Sequence, residues 1–486
     1  MSLKNGKQYM ESLRKLRPNI YKFGELIEDV TTHPATQLHI KSVAHSFDMA
    51  FDEEQSGIFT TTSFLTGKKA HRWNTLMTCA EDSVGNARLK RAQYNWSGTC
   101  QGATCAGWTM INALYDVTYK MDKELGTKYH ERLKNYFLYA EENALAMAGL
   151  CTDGKGDRTL PPSKQADPDI NLHIVEKRED GIVISGCKVL ICGVAASNEM
   201  VIIPGSGYGA DDTDYCVACA VPRDAEGITI VEARHVSDER DMEEGWDVPR
   251  GAGSSVAYIL FENVFVPNER VFMAGEYQYS GKLIGDFICI YRGAFGGCVT
   301  GQGDVMIGAA INVARANGLS QKVFQDKLTT MTINNETTYG LSLGSAMSGK
   351  KSESGSFLPN PLIGNVNKTH IATLPYETKR ICQDICGGLV ENGCIPSYKD
   401  FQSPIYGEKL LKTAAGAVDG ETRVRAARLA EWLTVGGGIP GCMHGGGSQD
   451  GAKLGIRALS PWNAYADNAK RIAGITRDLP DPVKKK

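Results

Sequence analysis

The hydrophobic period of this chain changes twice, and nothing else in the sequence limits the fold as strongly. Up to about residue 150 apolar residues recur at helical spacing, as in the amphipathic stretches 108–125 and 131–148. After Cys151 they alternate in short β-rich runs, at 171–177, 181–189, 199–203, 215–221, 227–231 and 256–265, divided by Gly, Asp and Pro clusters. From Leu283 the helical period returns, with candidate helices at 321–343, 369–390 and 422–434. The expectation is three domains: an N-terminal helical domain (1–150), a middle β domain (151–278) and a C-terminal helical bundle (279–486). A sheet held between helical layers leaves a cleft where a planar cofactor can lie. The stretch 348–367, rich in Ser, Gly, Pro and Asn, is expected to be a long loop, and 478–486 a solvated tail.

Composition narrows the function classes. Hydrophobic residues make up 42% and charged residues 22%, with a net charge of −3, which argues against a disordered chain and against nucleic acid as a partner. No apolar run reads as a membrane helix and the first 14 residues have no signal-peptide core, so no membrane is expected and a soluble, cytoplasmic protein is. Fourteen cysteines are many for a compartment where thiols stay reduced, which points to thiol ligands or an anaerobic cell.

Several segments carry chemistry. The loop Thr152–Arg158 packs small residues among Asp153, Lys155, Asp157 and Arg158, and can hold a phosphate or a ring edge through backbone N–H groups and the guanidinium. Gly387-Gly388, then Pro396-Ser397, could let the backbone approach a pyrophosphate, although a helix cap explains the glycines equally well. No Gly-x-Gly-x-x-Gly fingerprint accompanies them, so a nicotinamide Rossmann domain has no support. Cys100-x4-Cys105 and the distant Cys298, after two glycines, could share an iron–sulfur site, whereas Cys216/Cys219 and Cys382/Cys386 read as core. His444 lies in the glycine-rich turn 442–448, where an imidazole could reach a substrate or be purely structural. Zinc-hydrolase His pairs are missing.

Taken together, Tyr9–Arg14, Thr152–Arg158, 175–183, 261–270, Gly296-Gly297-Cys298, 387–397 and Met443-His444-Gly445 resemble the flavoprotein family that contains 4-hydroxybutyryl-CoA dehydratase (vinylacetyl-CoA isomerase) and the 4-hydroxyphenylacetate 3-hydroxylase oxygenase component. The likeness runs almost end to end, and the dehydratase branch is the nearer.

The resemblance implies an α+β, acyl-CoA dehydrogenase-like fold with a middle β-barrel, and a homotetramer holding FAD at subunit junctions. Thr152, Lys155, Asp157, Arg158 and Cys192 would line the flavin; Gly387, Gly388, Pro396 and Ser397 would meet its adenine or pyrophosphate part. Cys192 stands where the family usually has a flavin-bonding Thr, and a thiol is the weaker donor.

The resemblance also implies a [4Fe-4S] cluster on Cys100, Cys105 and Cys298, with Tyr291 at the fourth position in place of a family His and the first pair one residue wider than in the family. The family's two Glu, Tyr and Lys stand here as Val256, Gly441, Phe295 and Val299, which removes ionisable groups and leaves His444, Tyr291 and Arg292 as catalytic candidates. The implied function is flavin-dependent, redox-assisted dehydration, isomerisation or dehydrogenation of an acyl-CoA-like substrate, a CoA thioester. The alternatives are an aromatic monooxygenase and a non-catalytic flavin-binding paralogue.

Overall fold

In the computed structural model, which describes residues 3–235, 238, 255–436 and 443–479, the first third of the chain makes five helices of at least nine residues. They are α1 (Gly6–Arg14), α2 (Pro34–Asp48), α3 (Ala80–Ser97), α4 (Ala106–Leu125) and α5 (Tyr129–Glu142). The sequence signals that end them are local. Gly98 stops α3 and Gly126 stops α4 in the left-handed region, at φ 66° and 69°, where a side chain would be strained.

Short strands are set among these helices: β1 (Ile20–Lys22), β2 (Glu25–Leu26), the pair β3 (Thr60–Thr62) and β4 (Lys69–His71), and β5 (Met147–Leu150). The middle of the chain adds β6 (His173–Lys177), β7 (Gly181–Cys192), β8 (Glu199–Ile202), β9 (Val217–Pro222), β10 (Ile228–Glu232), β11 (Val256–Pro267) and β12 (Val271–Ala274). The strands divide into a six-stranded sheet, β2-β1-β10-β11-β7-β6, and a four-stranded sheet, β12-β9-β8-β5. In the larger sheet β11 runs antiparallel to β7 and sets Val256 opposite Cys192.

The expected middle β-barrel of an acyl-CoA dehydrogenase-like fold is therefore not formed among the described residues. Both sheets are open, ending at β2 and β6 and at β12 and β5. The physical reason lies in what completes them: β1, β2 and β5 arrive from the helical first third and extend the sheets sideways. Helices instead of strands then cover the sheet faces, as where Gly107 of α4 rests on the Met147 backbone.

The last third is built on α6 (Tyr277–Ala316), a helix of 40 residues, followed by α7 (Lys322–Met347). The expected loop at 348–367 instead holds a hairpin, β13 (Lys350–Lys351) with β14 (Phe357–Leu358), and the start of α8 (Pro361–Ile371). Asn360 caps α8 through its side chain, a signal that spacing alone hides in a polar stretch. Then come α9 (Leu374–Cys386), α10 (Gly420–Glu431), α11 (Gln449–Leu459) and α12 (Trp462–Ala473).

Alone among the described helices, α6 is long and apolar enough to cross a membrane. That stretch is 72% buried inside the fold, as a core helix. Its first half joins a large core running through α2, α4 and both sheets, and its second half joins a separate core with α7, α9 and α10. A small third cluster, Tyr94, Phe295, Cys298, Val299 and Ile371, sits between the two.

Glycines let α3 come close to α6 at that point. A Cβ on Gly297 would collide with the Ala87 carbonyl oxygen, and one on Gly301 with that of Arg91. Both obstacles are helix backbone, which cannot swing aside, so any side chain at 297 forces the two helices apart.

Candidate active site

The close α3–α6 crossing gathers sulfur. Beyond Gly98 the chain enters a tight connection carrying Cys100 and Cys105, with a 3₁₀ turn at Gly102–Thr104. A Cβ on Gly102 would stand 2.7 Å from the Cys192 carbonyl carbon, so this connection lies directly on the end of β7 and brings the Cys100 thiol into hydrogen-bonding contact with the Cys192 thiol. Cys298 enters from α6 and donates to the Phe295 carbonyl at 3.1 Å. Tyr94 is hydrogen-bonded to the sulfurs of both Cys100 and Cys298. One helical turn earlier, Lys90 puts Nζ 2.5 Å from Cys105 Sγ.

Lys90 is only 6% exposed. Lysine is almost never buried without an anionic partner, and among the described residues no carboxylate approaches this one. Burial works against its charge, but Cys105, Cys298 and Cys100 outweigh that and hold its pKa above the ordinary lysine value. The sulfurs respond in opposite ways. The hydrogen bond from Cys192, helped by Tyr94 and Lys90, brings the Cys100 thiol below the usual thiol range despite burial. Burial pushes Cys298 up to about 12.

The far wall is aromatic. Phe287, Tyr291 and Phe295 succeed one another along α6, their ring centroids 5.4 and 5.2 Å apart. Tyr291 is held neutral, its pKa raised by burial and then by the nearby cysteines.

All 13 described cysteines are free thiols. Among the described residues no three His, Cys, Asp or Glu side chains converge tightly enough for a single metal ion. Cys100, Cys105 and Cys298 gather around Lys90 and Tyr94, and Tyr291 packs on the same small cluster.

The loop expected to meet a flavin joins this chamber through β7. The Val189 amide donates to the Thr152 carbonyl, and Lys188, four residues before Cys192, donates to the Cys151 and Ile203 carbonyls. Lys188 also pairs with Asp153 at 2.7 Å, both being buried, and the Tyr208 hydroxyl donates to the other Asp153 oxygen. This buried network fixes the root of the loop while Lys155, Asp157 and Arg158 stand exposed. β7 thus runs from the root of the loop, at Lys188 and Val189, to the thiols, at Cys192.

Gly387, Gly388, Pro396 and Ser397 lie elsewhere. Gly387 ends α9, eleven residues or about 16 Å along the helix from Tyr376, which packs on the small cluster at the chamber. A Cβ on Gly387 would meet nothing within 4 Å, and the Ser397 side chain caps a short helix through Asp400. His444 is exposed in the turn following residue 442. That turn does rest on the other two catalytic candidates: the Gly446 carbonyl accepts from Arg292 Nε at 2.9 Å, and a Cβ on Gly446 would stand 2.9 Å from the Tyr291 ring. Arg292 Nη1 donates to Asn365. Val256, Phe295 and Val299 leave apolar surface where the family resemblance implies ionisable groups, and Gly441 lies outside the described residues.

Sequence reasoning missed Lys90, Tyr94 and Lys188. The i, i+4 spacing of Lys90 and Tyr94 just before Cys100 is the signal that could have found the first two.

The 4-hydroxyphenylacetate 3-hydroxylase N-terminal model matches residues 5–273 and its C-terminal model residues 280–474. The chain is 38% identical to 4-hydroxybutyryl-CoA dehydratase/vinylacetyl-CoA-Δ-isomerase of Clostridium aminobutyricum, over 97% of this chain and 100% of that protein. Among solved structures it is similar to the oxygen-tolerant archaeal 4-hydroxybutyryl-CoA dehydratase of N. maritimus, with TM-score 0.94 and 35% identity over 100% of this chain and 97% of that one. The oxygenase component of 4-hydroxyphenylacetate 3-monooxygenase complexed with FAD shares the fold, with TM-score 0.83 and 20% identity over 96% and 98% of the two chains. Glutaryl-CoA dehydrogenase is far more remote, at TM-score 0.51 and 14% identity over 89% and 96%, which corrects the acyl-CoA dehydrogenase-like expectation: the fold is that of the hydroxylase and dehydratase structures.

Proposed function

Since the chain belongs to the 4-hydroxyphenylacetate 3-hydroxylase family, we propose that it is an FAD-dependent enzyme of the dehydratase/isomerase branch, acting on a CoA thioester by redox-assisted dehydration or isomerisation. The observation that carries this reading is the convergence of Cys100, Cys105 and Cys298 around one buried lysine, at the point where the Thr152–Arg158 loop and β7 adjoin.

FAD, when bound, supplies the electron acceptor that acidifies an otherwise unreactive C–H bond of the acyl chain. Thr152, Lys155, Asp157, Arg158 and Cys192 would hold its ring end. Gly387, Gly388, Pro396 and Ser397, remote from the chamber of their own chain, serve the flavin of a neighbouring copy in a homotetramer. The exposed Trp462 and Tyr465 of α12, a helix with no buried residue, support such an assembly. An iron–sulfur cluster on Cys100, Cys105 and Cys298, with Tyr291 at the fourth position, supplies when bound a Lewis acid for a departing hydroxyl.

The chain's own groups do the remaining work. Lys90 supplies a positive charge that, with the hydrogen bonds of Cys192 and Tyr94, brings the Cys100 thiol down in a dry space. Tyr94 orients Cys100 and Cys298 by hydrogen bonding. Phe287, Phe295, Val299 and Ile371 exclude water. Arg292 positions the substrate beside Tyr291, and His444 exchanges protons from the turn that rests on both. The enzyme works in the cytoplasm.

The test is anaerobic incubation of the FAD-loaded protein with vinylacetyl-CoA, following formation of the conjugated 2-enoyl thioester and the flavin spectrum. Product with a perturbed spectrum is expected. A protein inert to thioesters that consumes oxygen with reduced flavin and a phenol would instead be a monooxygenase.

A further inference from the structure

Lys90 and Cys105 stand closer together than a hydrogen bond needs. Lys90 Nζ lies 2.5 Å from Cys105 Sγ, one residue belonging to α3 and the other standing at the start of α4. Even to oxygen, a smaller acceptor than sulfur, an N–H group usually keeps about 2.7–3.2 Å. A direct S–N single bond, on the other hand, is far shorter than the distance seen. What spans it is a pair of single bonds meeting at one oxygen atom, N–O–S.

The surroundings single out this sulfur. Cys100 is engaged by Tyr94 and Cys192, and Cys298 by Tyr94 and the Phe295 carbonyl. Cys105 is half-buried where Cys298 is buried. It also lines a cavity of about 20 Å³, shared with Met77, Thr104, Trp108, Thr109 and Asn112, which has room for one molecule the size of water or dioxygen. Lys90 is buried along its length and, among the described residues, has no carboxylate to draw its amine away from the sulfur. A nucleophilic nitrogen, an oxidisable sulfur and a space for a small oxidant therefore meet at one point.

We propose that Lys90 and Cys105 form a covalent modification site, joined by dioxygen through a single oxygen atom, Nζ–O–Sγ, whenever the chamber holds no iron. The step balances. Dioxygen accepts four electrons, two from the nitrogen and two from the sulfur. One of its oxygen atoms bonds to both, and the other leaves as water with one hydrogen from the amine and one from the thiol, the extra ammonium proton passing to solvent. Two molecules of a dithiol return the four electrons and release amine, thiol and water. The bridge ties α3 to the start of α4 and withdraws Cys105 from the thiols proposed to hold iron, so air closes the chamber of the empty protein and a reductant reopens it. This goes beyond the function proposed above and does not depend on the substrate.

The experiment uses the full chain, purified iron-free with a chelator, once in air and once under strict exclusion of oxygen, then digested without reductant and read by mass spectrometry. In air the peptides carrying Lys90 and Cys105 are expected to be joined, heavier than their sum by one oxygen atom and lighter by two hydrogen atoms. Excess dithiothreitol should separate them and raise the count of free thiols by one. Without oxygen they should be separate from the start. Cys105→Ser and Lys90→Arg should each abolish the joined species, and the wild-type masses decide the question where a variant does not fold. A joined species without the added oxygen, whether a direct S–N link or a disulfide, would overturn the proposal. So would a Cys105 peptide that gains an oxygen and stays separate, which is a sulfenic acid, and so would unmodified peptides after exposure to air.

Discussion

The two flanks of α6 solve the same electrostatic problem in opposite ways. On one, Phe287, Tyr291, Phe295 and Cys298 face a closed chamber in which the lysine from α3 meets only thiols. On the other, Lys282, Asp286 and Arg292 face an open cleft where carboxylates pair with lysine and water can reach the rest. In the sealed flank the surrounding thiols keep Lys90 charged, and Lys90 in turn helps to bring the Cys100 thiol down. In the open flank Asp116 and Asp286 pair with Lys282. One helix, by its 100° step per residue, thus presents a sealed thiol chamber on one flank and a solvated cleft on the other.

The sharpest way to break the contrast is Cys298→Ser. If the chamber works as a thiolate site, iron retention is lost and turnover falls by more than the about 10–100-fold typical of disturbing an outer partner of a metal ligand. Iron analysis and thioester turnover check both. Next is Arg292→Ala, at the boundary of the two flanks. It leaves the Gly446 carbonyl and Asn365 without their donor, at a cost of about 1–3 kcal/mol in denaturant unfolding.

Asp286 gives a pH signature to the cleft. Burial, with Asp116 nearby, raises its carboxyl from 3.8 to about 6 despite Lys282. The native state then holds this proton more tightly than the unfolded state, so its contribution to stability is full below about pH 4 and declines as pH rises through about 6. Wild type should lose on the order of 2 kcal/mol relative to Asp286→Asn across that window, read from unfolding at several pH values.

Lys90→Met sharpens the comparison from the sealed side. Replacing a buried cation by an apolar side chain of similar length should leave stability equal or higher, while the Cys100 thiol rises toward its ordinary range. Thiolate absorbance against pH in the cofactor-free protein reports it. The smallest effect belongs to Lys123→Ala. Its bridge to Glu353 joins two solvated side chains, and the thermal midpoint should not move measurably.

How much of this could be read from sequence follows from the range of the interactions. The alternation of helical and β text is local, and it located α4, α7 and most strands within a few residues, whereas the helix expected to 148 ends at Glu142 and gives way to β5. The barrel was misjudged because strands as short as 20–22, 25–26 and 147–150 carry no period of their own, yet they decide whether the sheets close. The polar run after residue 348 hid a hairpin and a capped helix for the same reason. Cys100 and Cys105 were legible as a pair. Their meeting with Cys298 depends on Gly297 and Gly301 admitting α3, a contact across some 200 positions that spacing cannot express. Lys90 was invisible because a lysine on an amphipathic helix reads as solvated, and only that crossing buries it.

The central claim is that the sealed flank exists to hold an iron–sulfur group beside a flavin. Anaerobic purification followed by iron and sulfide analysis tests it most directly. The account requires a brown protein with about four irons and four sulfides per chain. A yellow protein that carries FAD and no iron would contradict it and leave the thiols without the role argued for them.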